Sequence, residues 1–564
     1  MKKIIFLIFI HFNISLYAQN ELKYDANITK QPEWVNLMYS EDTDIADVVN
    51  AFNIYYKNHE LVKNKHTQYY KRWLRNISRF SNANIQQISK SSNVWECIGP
   101  WDFDKDANSR SYAPGSAHIY TVEQSVSNSD VLYAGSATAG AWKSIDKGNN
   151  WSLITKNLSL NTVYAIEIDY TNPDIIFISG NGGIYKSIDG GINWIIIGDA
   201  SFTSLNHSVK DIKLKPSNNQ ELFVASNQGL FHSTNAGVNF NQIMSGNFLE
   251  IEFHPNSTDT MYFVKQEGDS TLFYRSNDGG NSLINFTNGW PNPNIGDSQK
   301  RTEIAVSRAS PNKIVALAAG DANGGSGLYG IYISYDMGEN WDFQCCGPQP
   351  AGPPDSTNIN MMGWQPDGSD DGGQYYYDLA LAVNPNNADI IHVGGVNHWI
   401  SFDNGVSFTC PAKWSQPHKK GYIHADIHDI NYFNDDLWFA CDGGIFYSQN
   451  NGDSIYKKQF GISGTDFWGF GVGFKDNDVM LGGTYHNGTL LKDGNTYLND
   501  WICTDGGDNI RGFVNFGNPR VAYSDYGGKI LSGNRNIDIS TFSLAKKPNA
   551  SYITAESSLS LIHI

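Results

Sequence analysis

Cationic side chains are in short supply in this chain. Across 564 residues, 40 Lys and Arg face 57 Asp and Glu, a formal net charge of −17. A surface of that sign repels phosphate backbones and anionic lipid, which argues against a nucleic-acid or membrane-surface partner. Beyond residue 90, arginine occurs only as Arg110, Arg275, Arg301, Arg308, Arg511, Arg520 and Arg535. Cysteine is sparse too: Cys97, Cys345, Cys346, Cys410, Cys441 and Cys503. No two have Cys-x-x-Cys spacing, which excludes zinc fingers and thioredoxin-type redox chemistry. An exported chain allows some of the six to pair, and the spacing does not say which. A thiol nucleophile is the weaker reading. After the first residues no apolar run approaches the ~18 residues that a transmembrane helix needs.

The apolar run at the start has another meaning. Lys2-Lys3, the stretch from Ile4 to Ile10 and the small residue Ala18 compose a signal peptide over 1–18. That predicts a protein secreted or held at the outer cell surface. Residues 19–90 form a helical N-terminal region. Ile45, Val48, Val49, Phe52, Tyr55 and Tyr56 recur at helical spacing behind Asp44, which is placed to cap. Tyr69, Trp73, Ile77 and Phe80 make a second stripe among Lys71, Arg72, Arg75 and Arg79. Two helices packed as a hairpin account for both stripes; a basic arm for an acidic partner is the alternative.

From 91 to 564 the chain repeats itself. Ser187-Ile-Asp189-Gly-Gly191-Ile-Asn-Trp194 has the form Ser-x-Asp-x-Gly-x-x-Trp, and Ser144 to Trp151 and Ser334 to Trp341 match it fully. Ser401 to Phe408 carries Phe for Trp, and Ser233 to Phe240 also carries Asn for Asp. Ser276-Asn-Asp278 and Ser448-Gln-Asn450 are worn copies without the aromatic. Asp-Gly or Asn-Gly is a hairpin signal, because Gly takes positive φ without steric cost. The Ser and Asp side chains can tie the turn's own N–H groups. Each copy follows two strand-like runs, and upstream of these a further strand ends at Pro173, Pro216, Pro255, Pro311 or Pro385. Four short strands every ~40–50 residues describe a propeller blade. The fold class is therefore all-β, a multi-bladed β-propeller of about nine blade-like units.

This repeat resembles the Asp-box, or BNR repeat, of sialidases, xyloglucanase-type glycoside hydrolases and sortilin-type receptors. The chain from Trp95 onward is similar to large secreted propeller proteins of Bacteroidetes-type bacteria, labelled sortilin-like or glycosyl-hydrolase BNR-repeat proteins. The segments carrying that likeness are Trp95–Pro100, Tyr377–Pro385, His424–His428 and Cys441–Ser448. The resemblance implies the fold; the motif is a scaffold shared by enzymes and binders. Nine units exceed the four to eight blades of an ordinary ring, leaving a large single ring or tandem propellers. The final Ser557 to Ile564 supplies no closing strand, and the carboxy-terminal sorting module usual in this group is absent. The sequence therefore reads as truncated.

Several constellations bear chemistry. His424-Ala425-Asp426-Ile427-His428, as a strand, places His424, Asp426 and His428 on one face. Two imidazoles and a carboxylate there suit a transition metal, against a hydrogen-bonded polar ladder. Asp367, Asp370 and Asp371, in the long gap before Ser401, offer hard oxygens for calcium, against plain turns. Otherwise no cofactor is indicated. Trp364, Trp399 and Trp468 are candidates for a ligand-binding aromatic surface, against core packing. The resemblance to sialidases implies a Phe/Tyr-Arg-Ile-Pro segment, which this sequence lacks. The xyloglucanase likeness implies a catalytic Asp in a first-blade Thr-Asp-x-Gly-Gly; the matching Ser136-Ala137-Thr138-Ala139-Gly140 has Ala137 there. Asp442, Asp505 and Asp508 are candidates for a relocated acid, against turn formers. No catalytic residue is assigned. The expected function is an exported propeller binding protein or glycan ligands, with a polysaccharide glycoside hydrolase as the alternative.

Overall fold

The computed structural model describes residues 31–40, 45–71, 97–104, 113–180, 182–322, 325–346, 359–474, 476–493, 501–525 and 527–530. Two compact units are present, Met1–Glu96 and Cys97–Ile564. The signal peptide, Asp44, Trp73, Ile77, Phe80 and the chain after 530 lie outside the described residues. No helix among the described residues is long and apolar enough to cross a membrane.

In the first unit, helix α1 (Glu33–Met38) and helix α2 (Ile45–Tyr56) are followed by a helical stretch over 65–71. The apolar spacing of α2 puts Val48 inward, while Ile54 stays exposed. Trp34 on α1 is the hub: it is 1% exposed and meets Phe52 edge-on at 4.9 Å and Tyr70 at 5.6 Å. Sequence periodicity missed α1 because six residues are too few to show a stripe.

The second unit contains nine sheets among its described residues. In chain order these blades span 119–153, 166–197, 209–245, 247–286, 298–345, 380–401, 427–457, 467–505 and 512–530. The predicted internal order is found. Pro173, Pro216, Pro255, Pro311 and Pro385 each fall between the first and second strands of a blade, where a missing N–H costs nothing. Blade 6 has three strands, extended by a bridge between Ile400 and Thr409. Blade 8 gains a fifth, parallel strand from Phe103–Asp104, paired with Trp501–Asp505.

The first seven blades close a ring. The first strand of each packs on that of the next, and the first strand of blade 7 packs on that of blade 1. All seven first strands line one central cavity of about 300 Å³, which includes Glu123, Glu167, Lys213, Glu252 and Asn431. Buried and half-buried carboxylates stitch neighbouring blades along this axis. Glu167 accepts the Leu214 N–H at 2.9 Å, Asp211 the Ile251 N–H at 3.0 Å, and Glu250 the Ile304 N–H at 2.8 Å. Asp429 makes the same link across the closing seam, taking the Val122 N–H at 3.1 Å and the Thr121 hydroxyl at 2.9 Å. β-Bulges interrupt the first strands at Thr121, Asp211, Glu250 and Asp429, which re-aim these side chains out of the regular ladder. Blades 8 and 9 pack on each other beyond the ring.

The repeated turn occurs once per blade in the ring, between third and fourth strands. In blade 1, Ser144 Oγ accepts the Gly148 N–H at 2.9 Å and donates to Asp146, whose carboxylate takes the Asn150 N–H at 2.8 Å. The worn copies keep these bonds: Gly280 N–H to Ser276 and Ser282 N–H to Asp278, Gly452 N–H to Ser448 and Ser454 N–H to Asn450. The Gly two residues after the Asp or Asn of each turn has positive φ and abuts the preceding blade. Gly148 (φ 72°) faces Trp438 of blade 7, and Gly338 (φ 85°) faces Phe273 of blade 4. The aromatics Trp151, Phe240, Trp341 and Phe408 are buried, whereas Trp194 is only partly so.

Candidate functional site

One polar knot stands out on the face where first strands begin. His118 immediately precedes the first strand of blade 1. His428 lies in the first strand of blade 7, Ile427–Phe433, and Asp442 sits in the two-residue turn joining Cys441 to Gly444. Tyr377 ends the long insertion before blade 6, and His486 lies between the second and third strands of blade 8. These side chains meet at Asp442, which is wholly buried. His118 Nε2 is 3.0 Å and His428 Nε2 2.7 Å from Asp442 Oδ1, and His486 Nδ1 is 2.9 Å from Oδ2. The Tyr377 hydroxyl is 3.1 Å from both oxygens.

Electrostatics follow from this packing. Burial pushes the Asp442 carboxyl up, but His118 and His428 outweigh it and hold it well below the usual range. His118 is opposed by burial yet raised to about 9 by Asp442 and Asp466. Burial lowers His428 despite its bond to Asp442. Burial, then Asp442, pushes Asp426 well above the carboxylate range. Asp378 is raised for the same causes, burial and then Asp426 and Asp442. Asp378 is fully buried, and neither of its carboxylate oxygens has a hydrogen-bond partner. His486 (φ 69°) and Asp426 (φ 64°) occupy the left-handed region, a conformation that costs energy outside Gly and collects at functional sites.

The predicted His424-Asp426-His428 face is divided. The left-handed turn at Asp426 breaks the strand alternation, and the ladder starts at Ile427. His428 therefore points into the knot, and Asp426 lies beside it, held by Gln374 Nε2 at 2.8 Å. His424 turns its Nδ1 to the Ala425 carbonyl at 3.2 Å. Among the described residues, the one set of three His, Cys, Asp or Glu ligand atoms close enough to share an ion is His118, Asp442 and His486. Asp367, Asp370 and Asp371 are not such a set. Asp367 caps the Ser369 N–H at 3.1 Å, Asp370 takes the Gln365 N–H, and Asp371 lines a separate cavity of about 480 Å³ with Asp297 and Asp321.

Of the three tryptophans, Trp399 is 1% exposed and belongs to the core between blades 5 and 6. Trp364 is 39% and Trp468 53% exposed. Trp468 stacks on Tyr485, centroids 4.8 Å and planes 20° apart, next to His486. Ala137 is buried, and its neighbour Thr138 donates to Asp466. Asp505 takes the Thr504 hydroxyl at 3.0 Å, and Asp508, 58% exposed, takes the His486 N–H at 2.9 Å. Cys345 and Cys346 are bonded to each other; among the described residues Cys97, Cys410, Cys441 and Cys503 form no disulfide. Burial raises the Cys410 thiol to about 11, away from nucleophilic use.

No protein-family model matches this chain, and no curated protein matches it in sequence. Solved structures do. An ancestral GH74 enzyme superposes with a TM-score of 0.54 at 16% identity, covering 76% of this chain and 62% of that one. The GH74 xyloglucanase of Xanthomonas campestris gives 0.54 at 13% identity, covering 78% and 69%. PorZ, a surface component of the type-IX secretion system of Porphyromonas gingivalis, gives 0.41 at 13% identity, covering 76% and 52%. The chain thus spans less than two thirds of the first of these proteins. At such identities the likeness establishes the fold: this is an all-β propeller chain of the architecture found in the GH74 enzymes.

Proposed function

We propose that the protein is an exported propeller that binds a glycan chain beside the His/Asp knot, without cleaving it. The observation carrying this reading is the exposed Trp468 ring backed by Tyr485. A flat aromatic held rigid by a second ring offers apolar contact area at small entropic cost. A sugar ring presents its C–H face to such a surface and its hydroxyls to flanking polar groups. Asp508 and the less exposed Asp466 supply these here, each attached to the knot through His486 and His118. Export is supported by Lys2-Lys3, the apolar run from Ile4 to Ile10 and the small residue Ala18. The repeated turn supports kinship with secreted Asp-box propellers.

Hydrolysis is the second reading, favoured by the same Asp466 and Asp508. Glycoside hydrolysis normally needs two carboxyl groups about 5–10 Å apart across the bond. Against it, Ala137 stands where the xyloglucanase pattern calls for Asp. Asp442 is held by three imidazoles and a phenol, so it is not free to exchange a proton with a substrate. A polysaccharide panel probed with the full chain and with Trp468→Ala tests both readings. Retention lost in the variant supports binding, and reducing ends released by the wild type support hydrolysis.

A further inference from the structure

We infer that His118, His486 and Asp442, the last oriented by His428, form a site for a divalent transition-metal ion, zinc by ligand chemistry, that ties the closing seam of the ring to blade 8. Three segments more than 300 residues apart at the extremes deliver imidazoles to one carboxylate. Oδ1 alone has His118 Nε2 at 3.0 Å, His428 Nε2 at 2.7 Å and the Tyr377 hydroxyl at 3.1 Å around it. The same hydroxyl is 3.1 Å from His118 Nε2 and from His486 Nε2. Its single proton serves one of these contacts.

Two imidazole nitrogens and one carboxylate oxygen, all within 4.8 Å of one another, supply three of the four positions of tetrahedral zinc, with bonds near ~2.0–2.2 Å. Such bonds place ligand atoms about 3.3 Å apart, so the His118–Asp442 and His486–Asp442 pairs, at 3.0 and 2.9 Å, need to open by a few tenths of an ångström. The surroundings match as well. His118 presents its other nitrogen, Nδ1, to Asp466 at 3.4 Å, the carboxylate–histidine orientation of metal ligands. The ligand side chains are at most 10% exposed, so an ion here is shielded from bulk water. The ligands come from blades 1, 7 and 8, so an ion here clamps the seam where the ring closes and holds the blade-8 turn in its left-handed form. This site differs from the strand face at His424 and does not rest on glycan binding.

The test is elemental analysis of the full chain purified without chelator, with zinc added and excess removed. One zinc per chain is expected in the wild type and in His424→Ala, and none in Asp442→Asn or His486→Ala. Cobalt titration of the chelator-stripped wild type should give a saturable visible absorption of tetrahedral type. Zinc should raise its Tm in a chelator-reversible way, by linkage to the native state. If variants fail to fold, the wild-type titration still decides. A wild type that shows no saturable cobalt band and no zinc-dependent Tm overturns the proposal, as does zinc retained in folded His486→Ala.

Discussion

Trp341 shows what the aromatic of the repeated turn does. It is 4% exposed, its indole N–H bonds the Gly338 carbonyl at 3.1 Å, and it meets Phe273 and Trp290 edge-on at 5.1 and 4.8 Å. Trp341→Ala is expected to cost about 3–5 kcal/mol in urea unfolding, the range for a buried aromatic. Trp194, partly exposed, should cost less; equal costs would mean that burial does not set the penalty. Glu167 sets a pH prediction. Burial raises its carboxyl to about 8 against the pull of Lys213 and the Leu214 N–H. The folded state therefore holds its proton more tightly than the unfolded chain, whose glutamate titrates near ~4.3. That stability is fully present below ~4.3 and is lost as pH rises through about 8. Wild type should lose stability relative to Glu167→Gln between about pH 5 and pH 9, and a pH-independent difference would remove Glu167 as the titrating group. At this scale the sequence was only partly informative. His428 was visible through its spacing from His424 and Asp426. His118 and His486 were not, because the contact joining them spans seven blades and no local pattern encodes it.

Turns were the most legible elements. Asp-Gly and Asn-Gly chemistry acts within a few residues, so it survives in the worn copies at Ser276 and Ser448, where the aromatic is gone. What the motif did not reveal is that the Gly two residues after its Asp is also an inter-blade contact. Gly338 has φ 85°, and a Cβ there would run into the Phe273 ring. Gly338→Ala should cost about 1–3 kcal/mol, from backbone strain with the clash added. An unchanged melting temperature in thermal unfolding would show that neighbouring blades are not packed on this turn. The strand expected over His424–His428 failed at Asp426, where a left-handed residue flips the alternation. Periodicity assumes extended backbone, and a single positive φ defeats it.

At the scale of the whole molecule, the nine units were countable from the sequence, but their division was not. Ring closure depends on Asp429 reaching Thr121 and Val122 across more than 300 residues, and no repeat spacing signals which blade is seventh. The resulting arrangement brings blade 8, with Trp468 and Tyr485, beside the seam where blades 1 and 7 meet. The central claim is that this face binds glycan without hydrolysing it. The most direct measurement incubates the full chain with immobilised polysaccharides and reads bound protein and released reducing ends in the same wells. Retention on at least one polysaccharide, its loss in Trp468→Ala and no release of reducing ends is the expected result. No retention on any polysaccharide, or reducing ends rising with time, would contradict it.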